Sequence, residues 1–171
     1  MALVTSPWAG SVTPVPPPAE SIPHTSDVVY AGIVTGAWSG VLSLAVYGLG
    51  RALGVPFEVV SPVGGGLSVV PWFLPLLVPL VAGVIGGYLA ALTLGRAHAR
   101  RIVFWAGTAV AALSCLSPLV QSSEVIWSTR LWLLVPHVIT WLLIVPQLAR
   151  VVGDSEPGMT MVRDSPRAAR P

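Results

Sequence analysis

Charge is scarce in this sequence. Only 9% of its 171 residues are Asp, Glu, Lys or Arg, whereas soluble domains carry about 25%. Lysine is absent, so all nine basic residues are arginines. The arginines lie at the edges of apolar stretches and in the C-terminal tail, and they form no dense stripe interleaved with aromatic side chains. This distribution excludes nucleic acid as an expected partner and a soluble globule as the expected fold.

Cysteine is rare, and the apolar stretches contain no acid. The single cysteine, Cys115, cannot form an internal disulfide or a CxxC pair. This excludes the four-span thiol oxidoreductases that work with quinones, and we interpret Cys115 as a small apolar filler. All seven acids lie in tails, loops or helix caps: Glu20, Asp27, Glu58, Glu124, Asp154, Glu156 and Asp164.

Four long apolar stretches dominate the rest of the chain. They cover about 28–50, 70–94, 102–120 and 131–149. A helix of about 20 residues spans the hydrocarbon core of a bilayer, and lipid offers no partner to unpaired backbone groups. The sequence therefore predicts an all-α, membrane-embedded four-helix bundle over residues 28–150.

Both ends of the chain are polar and rich in helix breakers. Residues 1–27 are Pro-rich and residues 151–171 carry several arginines, so both are predicted to be disordered tails. Asp27 is the expected N-cap of the first helix, with Ser26 as the alternative.

The loop between the first two helices contains two short β-prone segments. Phe57–Val60 and Leu67–Val70 flank three consecutive glycines. This arrangement predicts either a small hairpin or a mobile loop on the membrane surface.

The arginine count predicts the orientation. With a cytoplasmic N-terminus, the inner side holds seven arginines and the outer side two. Because positive residues accumulate on the cytoplasmic side, both termini are predicted to be cytoplasmic. The inner arginines are Arg96, Arg100, Arg101, Arg150, Arg163, Arg167 and Arg170, and the outer ones are Arg51 and Arg130.

Glycines form small faces on the first two helices. Gly32, Gly36 and Gly40 recur at every fourth position of the first helix, and Gly83 and Gly87 do so in the second. This spacing lets helix backbones approach closely. The faces pack the four helices together, or they form a seam with a second copy of the chain or another membrane subunit.

His137 is the only ionisable side chain besides Cys115 that lies well inside an apolar stretch. An ionisable residue at this depth is a candidate for function. At the rise of an α-helix, Ser114, Cys115 and Ser43 reach a similar depth, and the four residues form the candidate intramembrane polar site. We expect a neutral imidazole that bridges helices, with a proton-linked or ligand-binding role as the alternative. No metal or cofactor is expected, because no second ligand lies near His137.

Several segments carry a resemblance to a known family. They are GRALGVPFEV after the first stretch, GYLAALTLGRAHARR, LSCLSPL, and LLVPHVITWLLIVPQLAR in the fourth stretch. Over about Val28 to Val152, the chain resembles small four-span integral membrane proteins of actinobacteria, a family of unknown function. The most specific part combines His137 with Pro146, Leu148, Ala149 and Arg150. The resemblance implies a bacterial plasma membrane and no particular chemistry.

Three classes of function fit these observations unequally. The expected role is a non-enzymatic accessory or structural subunit of the cell envelope. The alternative is a small oligomeric transporter or channel with His137 in the pathway, although proton-coupled four-span exporters usually use an intramembrane carboxylate. A membrane enzyme is not expected, because surface ion pairing explains the one outer cluster of Glu58, Glu124 and Arg130.

Overall fold

The structure, a computed structural model, describes residues 22–61 and 65–157. Within these ranges the chain forms four helices and one two-stranded hairpin. The helices are α1 Thr25–Ala52, α2 Leu74–Ala91, α3 Ala99–Leu119 and α4 Trp127–Gly153, and the strands are β1 Glu58–Val60 and β2 Leu67–Val69. All four helices are long and apolar enough to cross a membrane, which confirms the predicted fold class. The two predicted tails lie mostly outside the described residues.

Helices α1 and α4 are longer than a bilayer core requires. They contain 28 and 27 residues, which corresponds to about 40 Å of helix, whereas the hydrocarbon core is about 30 Å thick. Helices of this length fit a bilayer by tilting or by extending into the headgroup region. Helix α2 has 18 residues and begins at Leu74, with a proline in its first two positions. Proline is tolerated there because its missing N–H would have no partner in the helix.

The start of α1 differs from the prediction. The N-cap is His24, so neither Asp27 nor Ser26 caps the helix. Asp27 is instead the third helical residue, and its Oδ2 accepts a hydrogen bond from the backbone N–H of His24 at 2.8 Å. The carboxylate satisfies a backbone donor that the helix leaves unpaired and complements the positive end of the helix dipole.

Helix α1 lies between α2 and α4, and α3 packs mainly on α4. The contact between α1 and α2 is made through glycine. A Cβ placed on Gly36 would lie 2.9 Å from the carbonyl oxygen of Pro79 and 3.1 Å from the Cα of Gly83. An added Cβ on Gly32 would likewise overlap the carbonyl oxygen of Gly83. One on Gly40 would lie 2.5 Å from the carbonyl oxygen of Leu76. The two backbones are therefore in direct contact, with no room for a side chain between them.

Gly87 extends this contact towards the start of α1. A Cβ on Gly87 would lie 3.0 Å from the Cα of Val29 and 3.2 Å from the carbonyl oxygen of Val28. The five glycines singled out by their spacing thus lie in a single interface between α1 and α2 inside one chain.

The hairpin, one of the two structures expected for the first loop, closes one end of the bundle. β1 and β2 pair antiparallel, with Glu58 opposite Val69. Phe57 precedes β1 and is 1% exposed, and its ring centroid lies 4.6 Å from that of Tyr47. The Tyr47 hydroxyl donates to the carbonyl oxygen of Val70 at 2.9 Å. An aromatic pair and a hydrogen bond therefore fix the hairpin to the end of α1.

Candidate functional site

His137 of α4 and Ser114 of α3 form a hydrogen-bonded pair. The imidazole Nδ1 lies 3.1 Å from the Ser114 Oγ. That hydroxyl also donates to the carbonyl oxygen of Ala111, at 2.7 Å. A hydroxyl carries a single hydrogen, so it accepts from the imidazole and Nδ1 is the protonated nitrogen. The geometry therefore places a hydrogen on Nδ1. In the neutral ring expected at this depth, Nε2 is then the acceptor.

A second polar contact joins α4 to α1. The Oγ of Ser39 and the Oγ1 of Thr140 are 2.9 Å apart. Thr140 donates its only hydrogen to the carbonyl oxygen of Pro136, at 2.7 Å, so Ser39 is the donor of the bond between the helices. Ser39 is fully buried, and the bond gives its hydroxyl a partner where water is absent.

A third polar contact joins α4 to α3. The indole Nε1 of Trp141 donates to the Oγ1 of Thr108, at 3.0 Å. Trp141 follows His137 by one helical turn, so the two side chains reach α3 at successive levels. Together with Thr140, they make a polar stripe on α4 that is bonded to α1 on one side and to α3 on the other.

The structure brings together only two of the four residues predicted for the intramembrane polar site. Cys115 is a free, half-buried thiol next to Ser114 in sequence, and no hydrogen bond joins it to His137 in the described part of the chain. Ser43 is fully buried in α1, and its Oγ has no partner among the described residues. The site is therefore a pair, His137 with Ser114, beside the Ser39–Thr140 and Thr108–Trp141 bonds.

Sequence reasoning missed those two neighbouring bonds. Neither threonine nor tryptophan is ionisable, so neither stands out in an apolar stretch as His137 does. Thr140 and Trp141 lie three and four residues after His137, the spacing that places side chains on one side of a helix. This spacing could have predicted the polar stripe on α4 but not its partners.

Arg130 has a different role from the one predicted. It is 8% exposed, and its guanidinium donates to three backbone carbonyls, one at the last residue of α3 and two in the loop between α3 and α4. Nε binds Val125 O at 3.0 Å, Nη1 binds Leu119 O at 3.2 Å, and Nη2 binds Ser122 O at 2.6 Å.

The interpretation of Arg130 as a surface ion pair with Glu58 and Glu124 is therefore wrong. Over residues 22–61 and 65–157, no carboxylate lies within ion-pair distance of Arg130. Carbonyls at a helix C-terminus lack partners within the helix and carry the negative end of its dipole. The cation satisfies one such carbonyl, at Leu119, together with two loop carbonyls, at Ser122 and Val125. Its stacking on Trp127, 4.8 Å from the ring centroid, adds a further contact.

Comparison with known proteins identifies a family. No curated protein and no solved structure matches the chain. One family matches residues 23–154, a segment that contains all four helices and the hairpin. The chain belongs to this family, DUF6069, a family of unknown function.

Proposed function

We propose that the protein is a non-enzymatic accessory or structural subunit of a bacterial plasma membrane, with both termini in the cytoplasm. The observation that supports this most is that the His137 side chain is hydrogen-bonded to a neighbouring helix. Its Nδ1–H is bonded to Ser114, and the neighbouring Thr140 and Trp141 are bonded to α1 and α3. Polar side chains that hold helices to one another are what a packed scaffold requires.

The placement of the acids supports the same role. In the described part of the chain, Asp27 lies in the first turn of α1 and Glu58 in the hairpin, while Glu124 lies in the loop before α4. Asp154 and Glu156 follow the end of α4. Proton relays within membranes are built from Asp, Glu and His side chains, and none of these five acids lies in the middle of a helix.

Proton flux in liposomes separates this role from transport. The full chain is reconstituted in liposomes that contain a pH-sensitive dye, and a pH gradient and a membrane potential are imposed in turn. We expect the same flux as in protein-free liposomes, for the natural sequence and for His137→Leu alike. A flux that exceeds the protein-free rate and is lost in His137→Leu would overturn the proposal in favour of a transporter or channel.

A second experiment tests the accessory role directly. The tagged chain is purified in mild detergent from its native membranes and, in parallel, from an unrelated bacterial host. We expect a larger complex from the native membranes, because only these contain the partner subunit. Equal masses from the two sources would contradict an accessory role.

A further inference from the structure

A surface groove opens where α3 begins and α4 ends. Its volume is about 420 Å³. One end is polar and the other apolar. The polar end is lined by His98, Arg100, Arg101 and Glu156, and the apolar end by Phe104, Trp105, Pro146 and Ala149.

The polar end is held in place by contacts between the two helices. The backbone N–H of Arg100 donates to Oε1 of Glu156 at 2.7 Å, so this carboxylate is bound to the first turn of α3. The aliphatic stem of Arg100 lies over Gly153, where an added Cβ would be 3.1 Å from the Arg100 Cβ and 3.2 Å from its Cδ. The N–H of Gly95 donates to the Ser155 Oγ at 3.1 Å. The loop between α2 and α3 is thereby bound to the segment after α4.

The charge of the groove is positive. Arg100 and Arg101 carry two positive charges, Glu156 carries one negative charge, and His98 adds a third basic group. Among the described residues, Glu156 forms no ion pair with Arg100 or Arg101, and both arginines are exposed to an incoming anion.

The apolar end lies deeper in the membrane than the arginines. Phe104 and Trp105 follow Arg101 by three and four residues, or about 5–6 Å along the helix. The apolar run of α3 begins at Ile102, directly after Arg101. Trp105 is 61% exposed, as expected for an indole at the membrane interface. The groove thus changes from cationic to apolar at the depth where a phospholipid changes from headgroup to acyl chain.

We propose that this groove binds one anionic phospholipid. Its phosphate lies against Arg100 and Arg101, and an acyl chain runs along Phe104 and Trp105. Guanidinium groups suit phosphate because they can donate two parallel hydrogen bonds, and basic pockets between membrane helices bind anionic headgroups. A free phosphate would occupy only the polar end. The proposal needs the membrane-spanning fold alone, so it is independent of the accessory role.

Native mass spectrometry of the full chain in detergent tests the proposal. The protein is titrated with phosphatidylglycerol and, separately, with phosphatidylcholine. We compare Arg100→Gln/Arg101→Gln with a matched control, Arg96→Gln/Arg150→Gln, in which two exposed arginines outside the groove lose their charge at the same end of the bundle.

The groove variant should bind phosphatidylglycerol about 25-fold more weakly, because each arginine near the surface contributes about five-fold. The control should retain the affinity of the natural sequence, and phosphatidylcholine binding should be the same in all three proteins. Equal losses in the two double variants would overturn the proposal, because they would indicate diffuse attraction to the whole surface.

Two further measurements examine the groove without risk to folding, one at its apolar end and one at its polar end. Trp105→Ala removes an exposed side chain and should weaken phosphatidylglycerol binding, whereas an unchanged affinity would contradict the acyl-chain contact. Inorganic phosphate should fail to displace the bound lipid. Displacement by millimolar phosphate would overturn the proposal and identify a simple anion site.

Discussion

The imidazole of His137 in α4 donates to the hydroxyl of Ser114 in α3 across 3.1 Å, and the same hydroxyl donates to the carbonyl oxygen of Ala111 at 2.7 Å. The two hydrogen bonds thus form a chain that begins at the imidazole on α4 and ends at a backbone carbonyl of α3. Each bond polarises its neighbour where the dielectric constant is low. The pair therefore links α3 to α4 and also fixes which ring nitrogen carries the hydrogen.

The first prediction concerns the stability contributed by this pair. His137→Leu removes the donor and should lower the free energy of unfolding in detergent by about 0.6–1.7 kcal/mol, the range for hydrogen bonds between membrane helices. His137→Gln should lose less, because an amide N–H can still donate to Ser114. Thermal or denaturant unfolding of the purified protein measures both variants.

A double-mutant cycle separates the bond from general packing. Ser114→Ala combined with His137→Leu should cost less than the sum of the two single changes, because both remove the same interaction. Val138→Leu, at an exposed position beside the histidine, serves as the packing control. Additive effects in the cycle would show that His137 and Ser114 do not stabilise each other.

The second prediction uses two glycines of α1 in different surroundings. Gly36→Ala would place a methyl group 2.9 Å from the carbonyl oxygen of Pro79, whereas a Cβ at Gly48 has no neighbour within 4 Å. Because a backbone carbonyl cannot move cheaply, Gly36→Ala should destabilise the protein by about 1–3 kcal/mol. Gly48→Ala should stabilise it by about 0.4–1 kcal/mol. Melting curves in the same detergent give the comparison, and equal effects would contradict a close contact between α1 and α2.

The pairing of His137 with Ser114 shows what the sequence can and cannot predict inside a membrane. The fixed rise of a helix converts residue number into depth, so Ser114 could be named as a partner. Depth does not give the direction in which a side chain points around its helix. Ser43, at a similar depth, is buried, and its hydroxyl has no hydrogen-bond partner in the part of the chain that the structure describes.

In the first turn of a helix, where the backbone still has unpaired groups, residue number does not identify the partner of a side chain. Arg130 and Asp27 both bind backbone groups of a turn, and these partners depend on how the chain folds locally. The sequence could count Arg130 among the charges at one end of the bundle. It could not show that backbone carbonyls, rather than carboxylates, receive its hydrogen bonds.

The third prediction tests the buried arginine. Arg130→Lys keeps the charge, but a single ammonium group cannot reproduce the fork that binds Val125, Leu119 and Ser122 together. Loss of a hydrogen bond from a charged group should destabilise the protein by about 1.5–3 kcal/mol. Arg51→Lys is the control, since the Arg51 side chain donates one hydrogen bond within the described residues, to Pro56 O at 2.9 Å, and lysine can replace it. Proteolysis of the loop between α3 and α4 should accelerate in the first variant only, and equal rates would contradict the role of Arg130.

The fourth prediction concerns orientation, which rests on seven arginines against two. In a Cys115→Ala background, Ser123→Cys should react with a membrane-impermeant maleimide in intact cells, because it lies in the exposed loop between α3 and α4. Ala97→Cys, exposed in the loop at the opposite end of α3, should react only after permeabilisation. Ala99 cannot serve as this second probe, because it is fully buried and would stay unlabelled on either side. Labelling of Ala97→Cys in intact cells, with Ser123→Cys protected, would reverse the orientation and place both termini outside.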